Sequence, residues 1–355
     1  MSTATNIPAA TRFSLLRKPA VARAARLLLA ALAALLLVSI LLELLGADAL
    51  TALQAIVEGA LGAPFSLGQT VMIASILVLT GIAAAVPFTA RLFNVGAEGQ
   101  LYAGAIAATA VGFQFPHLPS AVHVPLLLAA GIAGGALWAA IPGLMKAYMN
   151  ANEVIVSLML TFIATLLAEY ATTGIWPSGL ATNTDPLPGN ALLPTVSAST
   201  DITLGAPLAV VAVLLTWLLM NRGTLGFQIR ATGFNAHASE LNGLPVKRIQ
   251  VLAFTIGGAA AGLAGAILVA GIQDSLIAGG AAGFGFLGIA VALVARLSAT
   301  WMIPSAFLFA VLQVGSNSLQ VKAGISPSMG AVIVGVFVIA LLALGAIRLG
   351  TDGAK

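Results

Sequence analysis

The stretch Phe93-Asn94-Val95-Gly96-Ala97-Glu98-Gly99-Gln100 places polar residues and glycines between two apolar runs with almost no spacer. Inside a bilayer every backbone amide needs a partner, so such a stretch lies either at the surface or beside a protein-enclosed cavity. Asn94 suits the N-cap of the following helix, and Glu98 falls in its first turn, where the helix dipole favours an anion. Two interpretations stay open: a capped helix start at the cytoplasmic surface, or a broken helix whose Asn94, Glu98 and Gln100 line a pathway.

The composition around this stretch is that of an integral membrane protein. Of the 355 residues, 60% are hydrophobic and 7% are charged, with a mean hydropathy of +1.06. Soluble domains average about 25% charged residues, and disordered chains need low hydrophobicity, so both classes are excluded. The absence of cysteine removes disulfide frameworks, cysteine metal sites and thiol catalysis. The pI is about 9.8, but the basic residues after Leu27 form no long run, so no nucleic-acid partner is expected.

The apolar runs predict an all-α polytopic membrane protein with about ten transmembrane helices, since each span needs about 20 apolar residues. Segment 50–65 is predicted to be a short interfacial helix, and 177–204 and 222–248 are the two substantial polar loops. The predicted spans lie near residues 24–45, 68–90, 99–115, 123–147, 154–176, 205–221, 249–272, 283–300, 302–319 and 329–348.

The basic residues orient these spans, because cytoplasmic loops are enriched in Lys and Arg. With both chain ends in the cytoplasm, all of the 15 Lys and Arg residues except Lys322 fall on that side. Loop 177–204 is then extracytoplasmic and loop 222–248 is cytoplasmic. In the same topology, five acidic residues fall on the extracytoplasmic side: Asp48, Glu58, Asp185, Asp201 and Asp274.

Residues 1–23 are predicted to be a basic cytoplasmic tail, followed by one transmembrane domain, 24–350. Basic residues before the apolar run Leu27 to Leu45 would also suit a signal peptide. That run has about 19 residues, whereas signal-peptide cores have about 7–15. No small-residue cleavage site follows it, so we expect a retained first helix.

Pairs of glycines lie one helical turn apart at Gly131 and Gly135, Gly258 and Gly262, and Gly279 and Gly283. In lipid, such faces let helix backbones approach closely. Packing within the chain is the main interpretation, and a subunit interface is the alternative.

Residues 94–104 and 283–293 show a weak internal similarity: in both segments glycines precede a short predicted apolar helix, and the second segment lies five spans after the first. An odd offset would make the two halves of the chain inverted repeats. Paired glycine-interrupted segments in two such halves are typical of a transport pathway.

Motifs for catalysis and metal binding are missing from the sequence. There is no Gly-x-x-x-x-Gly-Lys-Ser/Thr loop for phosphate and no His-Glu-x-x-His zinc motif. His117 and His123 flank one predicted outer turn, and neither needs a ligand role. We therefore expect no catalytic residue, metal site or cofactor in this chain, and an intramembrane enzyme fits poorly.

Two further polar segments border predicted helices. Asn152-Glu153 opens the span at 154–176, where a helix cap and a pathway role are both open. In loop 222–248, Asn235 suits the N-cap of a short helix, 236–242, that stops at Gly243. This loop is either simply solvated or a docking element for a cytoplasmic partner.

In this order the three segments resemble the permease subunits of bacterial ABC importers in the branched-chain amino acid/ribose permease superfamily. The resemblance is closest to nucleoside importers that work with basic-membrane-protein-type lipoproteins. Asn-x-Gly-x-Glu-Gly-Gln at 94–100 looks like that subfamily's hallmark, and Asn-Glu-Val-Ile-Val-Ser-Leu-Met-Leu at 152–160 resembles its next motif. Loop 226–248 is similar to the ATPase-contacting loop, although Ser239-Glu240 departs from the small or basic residues expected there.

The resemblance implies a transmembrane permease subunit of an ATP-driven importer, with nucleosides as substrate and a sugar or other small polar solute as the alternative. Its expected partners are a cytoplasmic ATPase carrying ATP and Mg²⁺, a different and shorter second permease, and an extracytoplasmic substrate-binding lipoprotein. The expected location is the bilayer of the bacterial cell membrane. The implied pathway residues are Asn94, Glu98, Gln100, Asn152 and Glu153. The implied ATPase-coupling residues are Arg230, Gly233, Asn235, His237 and Gly243.

The rival class is a stand-alone secondary transporter driven by protons or sodium. Such a transporter needs ionisable side chains within its spans. Glu169 is the best candidate in the sequence, and Glu43 is expected near an interface. Co-purification of an ATPase with the chain would separate the two classes.

The charge distribution predicts which side of the membrane each loop faces. Because the native chain has no cysteine, single introduced cysteines report sidedness cleanly. Ser197→Cys should react with an impermeant maleimide in intact cells, and Thr351→Cys should react only after permeabilisation. The opposite labelling pattern would reverse the predicted orientation.

Overall fold

A computed structural model of the chain describes residues 32–33, 36–40, 43, 48–179, 182–281, 283–319 and 332–340. The described part is an all-α bundle, and residues 36–40 and 332–340 are helical as well. A π-helical turn, Ala171–Ile175, continues α5, and the short strands β1 (Thr195–Ser197) and β2 (Ile202–Thr203) pair antiparallel. The labelled helices are α1 (Ala49–Leu61), α2 (Pro64–Thr89), α3 (Ala97–Gln114), α4 (Ser120–Met149), α5 (Glu153–Tyr170), α6 (Gly205–Arg222), α7 (Thr224–Phe234), α8 (Ala236–Leu241), α9 (Val246–Gly271), α10 (Phe284–Val294) and α11 (Ala299–Ser316).

Six of the described helices are long and apolar enough to cross a membrane: α2, α4, α5 with its π-turn, α6, α9 and α11. This confirms the predicted all-α polytopic membrane protein. The count of ten spans and their orientation stay predictions, because runs 24–45 and 329–348 are described only in part. The tail 1–23 and Lys322 lie outside the described residues.

Two helix predictions differ from the structure near residue 296. The predicted span 283–300 is only the 11-residue helix α10, and α11 begins earlier than expected, at Ala299. Arg296 and Leu297 adopt left-handed backbone angles, with φ of 52° and 58°, which end the first helix. Hydropathy alone could not locate this turn, because apolar residues flank it on both sides.

Helices α3, α4 and α9 pack through their glycines. A Cβ on Gly262 would come within 3.0 Å of the Gly131 carbonyl oxygen, and one on Gly135 would come equally close to the Gly258 carbonyl oxygen. These backbones therefore touch directly, as small residues allow where lipid provides no hydrophobic drive. Packing within the chain is confirmed for these two glycine pairs.

The third glycine pair was interpreted wrongly. Gly279 and Gly283 lie in the turn before α10, with φ of 75° and 77°, and a Cβ on either would meet open space. Glycine is needed at these positions for left-handed backbone angles, not for helix packing.

Helix α2 lies at the centre of the bundle. Nearly all of its residues from Met72 to Pro87 are buried, between α9 on one side and α10 and α11 on the other. Gly257 of α9 faces the Ala83 carbonyl oxygen, and Gly288 of α10 faces Thr80. Helix α2 therefore packs directly against both α9 and α10.

The loop before α6 is seated on the turn after α9. Four backbone hydrogen bonds of 2.7–2.9 Å join residues 182–193 to residues 270–278. Asn190 also donates from Nδ2 to the carbonyls of Pro116 and Leu118, in the turn between α3 and α4. Burial, followed by the nearby charge of Asp201, raises the pKa of Asp274 in this region above its usual range.

The glycine packing predicts a large difference between two matched substitutions. Gly262→Ala places a methyl group against the Gly131 backbone and should lower the free energy of unfolding by about 1–3 kcal/mol. Gly189→Ala, where a Cβ meets open space, should change it by less than about 0.5 kcal/mol. Denaturant titration of the two variants in detergent measures both values, and equal losses would contradict the packing argument.

Candidate functional site at the start of two helices

Asn94 and Gln100 form a buried amide pair that closes the segment before α3. Gly96 occupies the N-cap, so the prediction that Asn94 is the N-cap was wrong. Asn94 Nδ2 donates to the Ala83 carbonyl and to Gln100 Oε1, both at 3.0 Å. Its Oδ1 accepts from Gly96 N at 3.1 Å and from Gln100 Nε2 at 2.9 Å. The Asn94 amide is thus fully engaged within the protein, and it ties this segment to α2.

Glu98 lies in the first turn of α3, as predicted, but its carboxylate caps a different helix. Oε1 accepts from Gly283 N at 3.1 Å, and Oε2 accepts from Gly285 N at 2.7 Å, at the start of α10. The first N–H groups of a helix have no partner within it, so this carboxylate satisfies two of them. A Cβ on Gly285 would clash with the Glu98 backbone, so glycine allows the close approach.

The N-terminal ends of α3 and α10 therefore meet at one buried carboxylate. Glu98 is only 5% exposed, and the positive ends of two helix dipoles favour its negative charge. The two helix starts that meet here lie in the two similar glycine-rich segments of the sequence, 94–104 and 283–293. We call this meeting point the junction, defined as residues 94–100 with residues 281 and 283–285.

Tyr102 and Thr80 complete the junction, and sequence reasoning missed both. Tyr102 lies one turn after Glu98 on α3, and its hydroxyl oxygen accepts from Ala281 N at 3.2 Å. Thr80 of α2 donates from Oγ1 to the Phe284 carbonyl at 3.1 Å. A tyrosine four residues after a motif glutamate lies on the same helix face, which is a signal that could have pointed to it.

The second motif lies against the first. Asn152 Oδ1 accepts from Val154 N at 3.0 Å and from Ile155 N at 3.3 Å, so it caps α5. Glu153 forms an ion pair with Lys146 at 2.9 Å, which joins the end of α4 to the start of α5. These contacts give both residues a structural role, and their place in a pathway stays a prediction.

Ser157 connects the two motifs, and it was also missed. Its hydroxyl oxygen accepts from Val95 N at 3.3 Å, and a Cβ on Gly96 would meet the Ser157 side chain. The start of α5 is thus packed directly on the segment that carries Asn94.

Loop 222–248 contains the short helix that the sequence predicts. Asn235 is the N-cap of α8 and accepts from Ala238 N at 2.9 Å. Gly243 follows the helix with φ of 79°, an angle that glycine adopts without strain. His237 lies on its exposed surface. Helix α7 was not expected, because its residues were assigned to the loop.

Arg230 and Gly233, the other two residues predicted to couple to an ATPase, hold this loop to the bundle. Arg230 donates from Nη1 to the Met220 carbonyl near the end of α6, where a cation is favoured by the helix dipole. A Cβ on Gly233 would clash with the Thr89 carbonyl oxygen, so α7 touches the end of α2 directly. The loop is therefore in mechanical contact with the segment that leads into the junction.

Two exposed apolar side chains were missed: Phe234, the last residue of α7, and Leu241, the last residue of α8. Phe234 is 86% exposed and Leu241 is 77% exposed. Large apolar residues in a polar loop were a visible signal, since they gain nothing from exposure to water.

Six helices able to cross a membrane make this a multi-pass membrane protein, and two helix starts that meet inside an apolar bundle are typical of transport proteins. The chain belongs to the family described as branched-chain amino acid transport system / permease component, which matches residues 66–342. The protein is thus a permease component, and the resemblance found in its sequence is confirmed.

Individual relatives agree with this assignment. The chain is 33% identical over 301 residues to a guanosine ABC transporter permease protein of Bacillus subtilis (strain 168), covering 83% of this chain and 86% of that protein. It is 34% identical over 329 residues to a glucose ABC transporter permease protein of Haloferax volcanii, covering 88% and 86%. It is 32% identical over 285 residues to a nucleoside ABC transporter permease protein of Lactococcus lactis subsp. cremoris, covering 77% and 78%.

The amide pair predicts a strong effect of Asn94 on stability. Asn94→Ala leaves three buried partners without a hydrogen bond and should lower the free energy of unfolding by about 1–3 kcal/mol. Asn221→Ala removes one exposed bond to the Trp217 carbonyl and should cost less than about 0.5 kcal/mol. Thermal unfolding in detergent compares them, and similar shifts in the two variants would argue against a structural role for the pair.

Proposed function

We propose that this permease imports nucleosides across the bacterial cell membrane, driven by ATP that a separate subunit hydrolyses. The family match over residues 66–342 carries the proposal. The guanosine and nucleoside permeases among its relatives support the substrate. The glucose permease, at 34% identity, supports a sugar as the second candidate.

A cytoplasmic ATPase, carrying ATP and Mg²⁺, docks on α8 in this proposal. The helix is exposed, fixed at its start by Asn235 and followed by a left-handed Gly243. Phe234 and Leu241 offer two apolar side chains for a pocket on the partner. Exposed apolar residues grouped on a polar surface commonly mark protein interfaces.

The solute passes beside the junction in this proposal. Glu98, Gln100 and Glu153 are at most 8% exposed, so a solute reaches them only after the surrounding helices separate. Because the Asn94 amide is fully engaged, we expect Asn94 to shape the pathway and not to bind the solute in this conformation.

Two further partners complete the proposed importer. A different, shorter permease supplies the other half of the pathway, and a substrate-binding lipoprotein delivers the solute on the side of loop 177–204. The seating of that loop on residues 270–278 gives the lipoprotein a firm outer surface to contact.

Uptake into proteoliposomes tests the function directly. The chain is reconstituted with its ATPase, second permease and lipoprotein, and labelled guanosine or glucose is offered with and without ATP. ATP-dependent guanosine uptake is the expected result. Uptake driven by a proton or sodium gradient without ATP, and lost in Glu169→Gln, would instead establish the ion-coupled rival.

Docking on α8 predicts a loss of ATPase binding when two side chains are made polar: Phe234, which ends α7 just before α8, and Leu241, the last residue of α8. Phe234→Ser combined with Leu241→Ser should weaken ATPase association at least tenfold, equivalent to about 1.4 kcal/mol, without affecting the bundle. Val196→Ser, which also replaces an exposed apolar residue but in the outer loop, is the matched control. Co-purification with the ATPase measures the effect, and normal recovery of the double variant would remove α8 from the interface.

A substitution at Gly233 would not identify the docking surface. A bulky residue there would clash with the Thr89 carbonyl and disturb the permease itself, so loss of coupling would not identify the docking surface. Asn235 is similarly tied to the fold through its cap on α8.

A further inference from the structure

A continuous series of contacts leads from the cytoplasmic loop to the start of α10. It begins where Gly233 of α7 touches the Thr89 carbonyl at the end of α2. The chain then turns into residues 92–96, and the Asn94 amide ties this segment to Ala83. Glu98 follows within one turn and binds the start of α10.

We infer that Glu98 is a positioning residue that transmits movement of the α7–α8 loop to α10, by holding the start of α10 in one transport state and releasing it in another. The inference rests on the proposed function, because it takes the driving movement to come from an ATPase on α8. In this role Glu98 acts through its two bonds to the backbone at the start of α10.

The turn before α10 depends on a few side-chain bonds for its position. Gly279 and Gly283 adopt left-handed angles, and a Cβ on either would meet open space. Glu98 and Tyr102 bond to this turn, and Gln273 donates to the Gly280 carbonyl at 2.7 Å. Backbone bonds, such as Gly280 N to the Ile277 carbonyl at 3.0 Å, add to them. Such a glycine-rich turn moves readily once these bonds are lost.

The body of α10 is held differently. Gly288 packs directly against Thr80, and a Cβ there would clash with that threonine. Gly285 likewise packs directly against Glu98, since a Cβ at that position would clash with the Glu98 backbone. The boundary between a loosely held turn and a tightly packed helix therefore lies at residues 283–285, which is where Glu98 binds.

A carboxylate suits this role better than an amide of the same shape. Each oxygen of Glu98 accepts one N–H, and both are needed. Glutamine has one acceptor oxygen, and its NH₂ group would face the second N–H, donor against donor. Glu98→Gln therefore breaks half of the cap with almost no change in volume.

Hydrogen exchange tests whether Glu98 holds the turn. In the nucleotide-free complex, Glu98→Gln should raise amide exchange in residues 281–285 at least tenfold, and Tyr102→Phe should raise it at Ala281 in the same direction. Glu169→Gln and Tyr170→Phe make the same chemical changes on exposed side chains of α5 and should leave this segment as in the native chain. In the native complex, trapping the ATPase with ATP and vanadate should change exchange in this segment.

The transport readout is the number of solute molecules imported per ATP hydrolysed. A purely structural role would lower the amount of complex and leave this ratio intact, whereas a transmitting role lowers the ratio itself. We expect at least a tenfold fall for Glu98→Gln, a smaller fall for Tyr102→Phe, and a native ratio for Glu169→Gln.

The possible failures are distinguishable. If the native complex imports neither guanosine nor glucose with ATP, the proposed function is wrong. If the native complex imports normally and Glu98→Gln keeps the native ratio, the inference about Glu98 alone is wrong. The inference is also overturned if exchange at residues 281–285 in the native complex does not respond to trapping. Should Glu98→Gln not assemble, Tyr102→Phe decides, because it removes only one hydroxyl group.

Discussion

A helix that begins inside a membrane bundle leaves free N–H groups that lipid cannot satisfy, and the described structure depends on how that need is met. Glu98 meets it for α10 from the first turn of α3. The same carboxylate is stabilised by both helix starts, so neither half of the junction is complete without the other. The Asn94 and Gln100 amides satisfy each other beside it, which leaves the carboxylate free for α10.

Glycine packing divides the bundle into parts of different stiffness. Helices α3, α4 and α9 touch through backbone atoms, and a single methyl group at Gly131 or Gly262 would separate them. Close-packed contacts of this kind transmit displacement with little compliance. In the turn before α10, by contrast, a Cβ on Gly279 or Gly283 would meet open space. Glu98 belongs to this closely packed three-helix block, and its carboxylate bonds the block to the start of α10.

Local sequence rules predicted the local features of the site. The cap at Asn235, the stop at Gly243 and the placement of Glu98 in a first turn follow from side-chain chemistry within a few residues, and the structure has all three. The identity of the helix that Glu98 caps could not be predicted, because that contact joins distant parts of the chain. The prediction for Gly279 and Gly283 was wrong for a different reason: a spacing of four residues alone does not distinguish a helix face from a turn. Phe234 and Leu241 were visible as apolar residues in a polar loop, but their exposure needed the fold.

The junction also sets an order for the biosynthesis of the protein. Glu98 and Gly283 are separated by 185 residues, and at about 5–20 residues per second a ribosome needs roughly 10–40 s to make the intervening chain. During this interval α3 already exists, but the amides that will receive its carboxylate do not. An ionised carboxylate without partners is costly in lipid, so nascent α3 must keep Glu98 hydrated, protonated or at the membrane surface until α10 is translated. Final seating of α3 is therefore a late, post-insertion event, controlled by a segment near the other end of the chain.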